Sequence, residues 1–248
     1  MAVPLVIAHR GASHGFPENT AAAFDAALEE GADGIELDLQ LTADGVVAVY
    51  HDKALDKLGL ARRHVSQCRW DELVRRDAGR WFAGRETGHR VLRLDEVLAG
   101  WGGRTRLYLE IKNTEGLAGR ARHRELARRV AAEVRAHGLD EAVEILSFHD
   151  SALRDVHAVA PGLPLVRNLR WVPGVRGLRR SPLPLAAVCV AIERFGPETV
   201  PALDRLGMPR YAYTCDDAPA FRRALSLGVS AIISNRPEAA REWLTRYA

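Results

Sequence analysis

The feature that most constrains this chain is an alternation running from end to end, in which short apolar runs of four to six residues are separated by longer amphipathic stretches. The runs are Leu5–Ala8, Gly34–Leu37, Val46–Tyr50, Arg106–Ile111, Val143–Leu146, Leu163–Val166, Ala187–Ile192, Tyr211–Thr214 and Ala231–Ser234. Gly, Pro, Asn or Asp bounds most of them, as expected of strands in βα units. Between them lie helical patterns over Thr20–Glu30, Leu94–Trp101, Arg120–His137, Ser151–Ala160, Pro197–Leu206, Ala218–Leu227 and Pro237–Tyr247. Gly31, Gly138, Gly207 and Gly228 stand where helices would stop, and glycine tolerates the left-handed cap. In 248 residues this alternation predicts an α/β fold, a (β/α)8 barrel, with an open doubly wound sheet as the alternative.

Two irregularities temper that pattern. Nine runs are one too many for a closed barrel, so one must lie outside it. The link from Asp38 to Val46 is also too short for a crossover helix. Residues 53–93 hold no convincing strand and mix charge with aromatics, as in Arg62, Arg63, Trp70, Trp81 and Phe82. They form a small insertion after the third strand of a single domain spanning residues 1–248.

Composition excludes several other classes. The chain is 47% hydrophobic and 27% charged, with a net charge of only +3. Its basic residues are almost all Arg, with Lys53, Lys57 and Lys112 the only lysines. The richest basic stretch places Arg120, Arg122, Arg124, Arg128 and Arg129 among apolar residues, the pattern of a solvated helix face and not of a nucleic-acid patch. Cys68, Cys189 and Cys215 are odd in number and far apart, against a disulfide framework or a cysteine zinc site. The first residues carry no basic region and too short an apolar run for a signal peptide or membrane span. A cytoplasmic protein without stable membrane insertion is the expectation; its oligomeric state is not legible.

The chemistry concentrates at four strand ends: Ala8-His9-Arg10-Gly11, Ile35-Glu36-Leu37-Asp38, Val49-Tyr50-His51-Asp52 and Leu109-Glu110-Ile111-Lys112. Residues two apart on a strand share a face, so Glu36 pairs with Asp38 and Glu110 with Lys112. Parallel barrel strands are otherwise apolar, so each inward charge must be paired or bound. Glu36, Asp38 and Glu110 are hard oxygen ligands suited to Mg²⁺ or Ca²⁺. Alternatively, Arg10 and Lys112 simply neutralise them. Charge favours a ligand: these five groups leave a net −1, which one divalent ion and one phosphodiester bring to zero. His9 and His51 can act as general base and general acid on opposite sides of phosphorus, each worth about 10² to 10⁴ in rate. His14 shares the loop of His9 and has no assigned task. Asn19 or Thr20 is placed to cap the first helix, and Glu18 either braces Arg10 or packs in the loop.

These residues bring the chain close to a known family. His9-Arg10-Gly11-Ala12 with Pro17-Glu18-Asn19-Thr20, Gly34-Ile35-Glu36-Leu37-Asp38, His51-Asp52 and Glu110-Ile111-Lys112 resemble the glycerophosphodiester phosphodiesterases. Tyr211-Ala212-Tyr213-Thr214, Gly228-Val229 and Ile232-Ile233-Ser234-Asn235-Arg236-Pro237 resemble that family's last two strands. The resemblance implies a TIM barrel that hydrolyses small glycerophosphodiesters to glycerol 3-phosphate and an alcohol. It implies a divalent metal on Glu36, Asp38 and Glu110, His9 and His51 as the acid–base pair, and Arg10 and Lys112 on the phosphate. Tyr213 stands where the family usually has Trp and either lines the glycerol side or packs in the core. Asp216 replaces a usual Asn, and Asp56-Lys57-Leu58-Gly59 stands in place of an Arg-Thr-Thr run. The alternatives are a lysophospholipase D-like activity, a glycosidase using Glu36 and Glu110, and a non-catalytic barrel that binds phosphorylated ligands. The glycosidase leaves His9, His51, Arg10 and Lys112 idle.

Overall fold

The computed structural model describes residues 3–112, 117–170, 183–196, 199–205 and 207–247, with the side chains of 117–120 outside that description. Its strands, numbered along the chain, are β1 (Leu5–His9), β2 (Gly34–Leu41), β3 (Val47–Val49), β4 (Leu92–Arg93), β5 (Arg106–Ile111), β6 (Val143–Ser147), β7 (Leu165–Leu169), β8 (Leu185–Ala191), β9 (Arg210–Tyr213) and β10 (Ala231–Ser234). The parallel ladder runs β1-β10-β9-β8-β7-β6-β5-β2 and closes through β1–β2, which makes an eight-stranded barrel. Helices follow most of the barrel strands and cover its outside.

The surplus apolar run, Val46–Tyr50, lies outside the barrel. β3 pairs antiparallel with the upper part of β2, Leu39 opposite Val49 and Leu41 opposite Val47. The short Asp38–Val46 link is therefore a hairpin. Gly45 turns it with φ 83°, and Thr42 accepts the Val46 N–H on its hydroxyl at 2.8 Å. The excursion over 53–93 follows this third strand of the chain, so within the barrel it lies between β2 and β5. Its one named strand is β4, antiparallel to β3, and isolated antiparallel bridges join Leu55 to Leu60 and Asp77 to Arg90. Leu55, Leu58, Val65, Cys68, Leu73, Ala78 and Val91 give it an apolar cluster of its own, seated on Ala48 and Tyr50.

Other boundaries move for local reasons. β7 starts at Leu165, because Pro164 has no N–H for the ladder, and it continues through Arg167 and Asn168. The helix that begins the chain's first crossover is Ala21–Glu29, with Thr20 as its cap: Oγ1 accepts from Ala23 N at 3.3 Å. Of the Pro197–Leu206 stretch, Pro197 and Leu206 lie outside the described residues, and Val200–Asp204 is helical. Arg122 is not part of a solvated face, since its Nη2 donates to Leu41 O and Thr42 O at 2.8 Å each.

Strand parity sorts the interior. Ile7, Tyr108, Leu146, Val166, Ala187, Cys189, Tyr211, Ala231 and Ile233 fill the barrel as one cluster. One step further along the same faces come His9, Glu110, Asn168, Tyr213 and Asn235, so the inner face turns polar at the C-terminal mouth.

Candidate active site

The turn after β1 sets the first two residues. Arg10 (φ 58°) and Gly11 (φ 83°) are both left-handed. A Cβ on Gly11 would stand 2.5 Å from Ala23 O, so only glycine lets the chain pass this close to the first helix. The Arg10 N–H donates to Glu36 O at 2.8 Å and so extends the β1–β2 ladder by one residue.

Glu36, Asp38 and Glu110 are all buried, and each offers a carboxylate oxygen within 4.8 Å of the others. Asp38 lies opposite Glu110 in the β2–β5 register, and His9 lies opposite Glu36 across β1–β2. Lys112 Nζ bridges two of them, 2.8 Å from Asp38 Oδ1 and hydrogen-bonded to Glu110 Oε1. Asp38 Oδ2 accepts from Asn19 Nδ2 at 2.9 Å and lies 3.3 Å from Arg10 Nε. Glu110 Oε2 accepts from Asn168 Nδ2 at 3.0 Å. Glu36 Oε1 and Asp38 Oδ1 are both buried without a hydrogen-bond partner, but Asp38 Oδ1 has the Lys112 ammonium beside it and Glu36 Oε1 has no such cation among the described residues.

The electrostatics follow from this geometry. Burial, then repulsion from Asp38 and Glu110, pushes the Glu36 carboxyl well above its ordinary value. Burial also pushes Asp38 upward, but Lys112 and Arg10 outweigh it and hold Asp38 well below the carboxylate range. Burial raises Glu110 despite the opposing pull of Lys112. The trio is thus short of positive charge on its Glu36 side. Three hard oxygen donors with one orphaned oxygen fit a divalent cation of the Mg²⁺ or Ca²⁺ type.

Both histidines reach this mouth, by different routes. His9 ends β1; its Nδ1 is 2.7 Å from Asn235 Oδ1, and its Nε2 is 3.9 Å from Glu36 Oε2. Asn235 Nδ2 donates to Asp216 Oδ2, so the amide oxygen is the atom turned toward His9 and Nδ1 carries the proton. Burial first, then the Arg10 cation, lowers the His9 pKa to about 4. His51 does not end a barrel strand. The antiparallel β3 carries the chain back down beside β2, where Tyr50 N bonds Asp38 O at 2.9 Å, and this returns His51 to the level of the carboxylates. His51 Nδ1 meets Asp52 Oδ1 at 2.7 Å. Burial raises Asp52 while His51 and Lys57 pull it down, for a net lowered value.

Arg10 Nη1 is 2.9 Å from Glu18 Oε2, so Glu18 does brace it. Tyr213 ends β9 half-buried, with its hydroxyl on Leu169 O at 3.3 Å and its ring edge-on to Phe148 at 6.0 Å. The Arg170 guanidinium covers the same Phe148 ring at 4.6 Å. His14 is exposed and does not join the cluster.

The roles of four residues escaped the sequence reading. Asn19 holds Asp38 and is not the cap; Asn168 holds Glu110; Asn235 and Asp216 orient His9. Strand parity could have found Asn168 and Asn235, since both continue inward faces. Nothing local points from Asn19 to Asp38.

An eight-stranded barrel whose mouth gathers two histidines, three carboxylates and two cations suits acid–base chemistry on a phosphate ester, and comparison with known proteins narrows the class. The model of the glycerophosphoryl diester phosphodiesterase family matches residues 9–239, and the chain belongs to this family, as a phosphoric diester hydrolase. A glycerophosphodiester phosphodiesterase of Caldanaerobacter subterraneus is 34% identical over 94% of this chain and 95% of its own length. One from Bacillus subtilis is 29% identical over 94% of this chain and 84% of its own length. Among solved structures, an Oleispira antarctica phosphodiesterase in complex with the product sn-glycerol-3-phosphate superposes with a TM-score of 0.86 at 26% identity, covering 98% of this chain and 97% of that one. Among the described residues no helix is long and apolar enough to cross a membrane.

Proposed function

We propose that this chain is a divalent-metal-dependent hydrolase of small glycerophosphodiesters, releasing glycerol 3-phosphate and an alcohol by two-histidine acid–base catalysis. The whole chain acts as one domain, with 53–93 as an excursion at its mouth. The observation that carries this reading is the buried Glu36–Asp38–Glu110 group, with Glu36 Oε1 unpartnered, set between His9 and His51. The Oleispira complex with a glycerol 3-phosphate product supports the substrate class.

The three carboxylates would hold Mg²⁺ or Ca²⁺. When bound, such an ion supplies Lewis-acid stabilisation of charge on a phosphoryl oxygen. Arg10 and Lys112, both directed at the carboxylate group, are the cations that a non-bridging phosphate oxygen would share. His9 is neutral at pH 7, with its proton on Nδ1 and its Nε2 lone pair turned into the mouth, and so serves as the base. It takes the proton of the attacking group, either water or the neighbouring glycerol hydroxyl. His51, its Nδ1 held by the Asp52 carboxylate, gives a proton from Nε2 to the leaving oxygen. Tyr213 lines the glycerol side of the mouth.

The test is turnover of glycerophosphodiesters with choline, ethanolamine, glycerol and inositol head groups, with and without EDTA. Loss of activity in EDTA, restored by Mg²⁺ or Ca²⁺, and losses of about 10²-fold or more in His9→Ala and His51→Ala are expected. Wild-type rates in either variant would remove the two-histidine assignment. A cyclic glycerophosphate in rapid-quench samples would identify attack by the neighbouring hydroxyl.

A further inference from the structure

Lys57 lies in the first turn of the excursion, Asp56–Leu58, six residues beyond His51. Its Nζ stands 2.7 Å from Glu18 Oε1 and 3.0 Å from Asp52 Oδ2. Each of those carboxylates spends its other oxygen on a residue of the mouth. Glu18 Oε2 takes Arg10 Nη1 at 2.9 Å, and Asp52 Oδ1 takes His51 Nδ1 at 2.7 Å. The result is one continuous chain of ion pairs and hydrogen bonds, Arg10–Glu18–Lys57–Asp52–His51, with the lysine at its centre. The Trp81 ring, 4.3 Å from Nζ, covers the ammonium on one side.

The same atoms show what Lys57 replaces. Glu18, His51 and Asp52 offer ligand atoms within 4.8 Å of one another, a spacing that suits a cation. Here the cation is supplied by the chain itself. Without it two carboxylates would face each other, and both would be free to leave the groups they orient.

We infer that Lys57 is a positioning residue that couples the Arg10 phosphate clamp to the His51 proton donor, so that the excursion and the barrel together set the catalytic geometry. The inference rests on the roles proposed above for Arg10 and His51. The contribution is geometric more than stabilising: Lys57 and Asp52 are 25% and 34% exposed, and ion pairs at such positions hold little folding free energy. Their value lies in fixing where two reacting groups stand, and displacement of such groups by about 1 Å is worth roughly 100-fold in rate. Arginine at this position would keep the connection, because its fork offers separate N–H groups to Glu18 and Asp52.

The experiment compares wild type, Lys57→Met and Lys57→Arg by steady-state kinetics, thermal melting and long-range ¹H–¹⁵N spectra of the histidine rings. His51 is assigned in those spectra from the His51→Gln spectrum. Lys57→Met is expected to lose roughly 10- to 100-fold in kcat and to raise KM severalfold, with a melting temperature near wild type. Its His51 Nδ1 signal, held by Asp52 in the wild type, should shift or broaden as the ring loses its fixed orientation. Lys57→Arg should recover kcat to within about threefold and restore the ring spectrum. Wild-type kcat and KM in Lys57→Met, or equal losses in both variants accompanied by a lowered melting temperature, would overturn the inference. If the wild type does not turn over glycerophosphodiesters, it is the proposed function that fails. The ring spectrum then decides alone on Lys57, and an unchanged His51 signal in Lys57→Met counts against it.

Discussion

His9 Nδ1 and Asn235 Oδ1 stand 2.7 Å apart where the first and last strands pair, between the end of β1 and the residue after β10. Asp216 in turn accepts from Asn235 on both the backbone N–H, at 2.7 Å, and the side-chain amide. A carboxylate only accepts hydrogen bonds, so it determines which end of the amide faces His9, and through it the imidazole tautomer.

Asn235→Ala removes that control and leaves the ring free to present either nitrogen. A kcat lower by roughly 10²-fold, the smaller end of what one positioned acid–base group supplies, is the expected result, with KM changed far less. Steady-state kinetics on a glycerophosphodiester checks it; an unaltered kcat would detach Asn235 from catalysis.

Asn19 donates to Asp38 from a left-handed backbone, φ 58°. Asn19→Gly therefore removes the side chain with no new strain, whereas Asn19→Leu adds strain to the loss. Both variants should bind a divalent ion roughly 10- to 100-fold more weakly, as expected when an outer partner of a ligand is lost. Asn19→Leu should lose about 1–2 kcal/mol more stability than Asn19→Gly, the cost of its left-handed backbone. Calorimetric titration of Mg²⁺ or Ca²⁺, beside thermal melts, separates the two effects.

Gly11→Ala meets two obstacles at once, the positive φ and the Ala23 carbonyl 2.5 Å from the new Cβ. A backbone carbonyl cannot step aside as a flexible side chain can. The expected cost is at least ~2 kcal/mol, or ~4–8 °C in Tm for a chain of this size. A melt within a degree of wild type would show that the turn can be rebuilt.

Glu133, on the helix Leu117–Ala136, has its pKa raised to about 7 by burial and by the Asp95 carboxylate facing it. A carboxyl with a raised folded pKa favours the folded state below its unfolded value, near ~4.3. Relative to that, it loses stability as pH rises toward and through about 7. Glu133→Gln should therefore gain about 1 kcal/mol near pH 8 after allowance for its partial exposure, and little at pH 4 to 5. Tm measured across that range gives the answer, and a gain at the acid end instead would reverse the sign.

Removing Mg²⁺ or Ca²⁺ should leave the barrel folded, because Lys112 and Arg10 both pair with Asp38. Glu36→Gln should remove the excess negative charge on the Glu36 side and hence the metal. The expected outcome is a divalent-ion affinity at least ~10-fold lower with an unchanged or higher Tm. A calorimetric titration identical to wild type would take Glu36 out of the ligand set.

The sequence by itself determined the barrel and most of its mouth. Periodicity and parity are short-range properties. Alternating runs define strands and helices locally, and residues two apart must share a face, so Glu36 with Asp38 and Glu110 with Lys112 could be read without a structure. Only the tertiary structure decided which run left the barrel. Val46–Tyr50 has the composition of a barrel strand, and its antiparallel return, which sets His51 beside Asp38, depends on how β2 extends beyond its neighbours. It also decided the partners. Asn19 to Asp38, Lys57 to Glu18 and Asn235 to His9 bridge separations of 19, 39 and 226 residues. No local pattern encodes such distances, because they are set by the path of loops over the mouth and by closure of the sheet on itself.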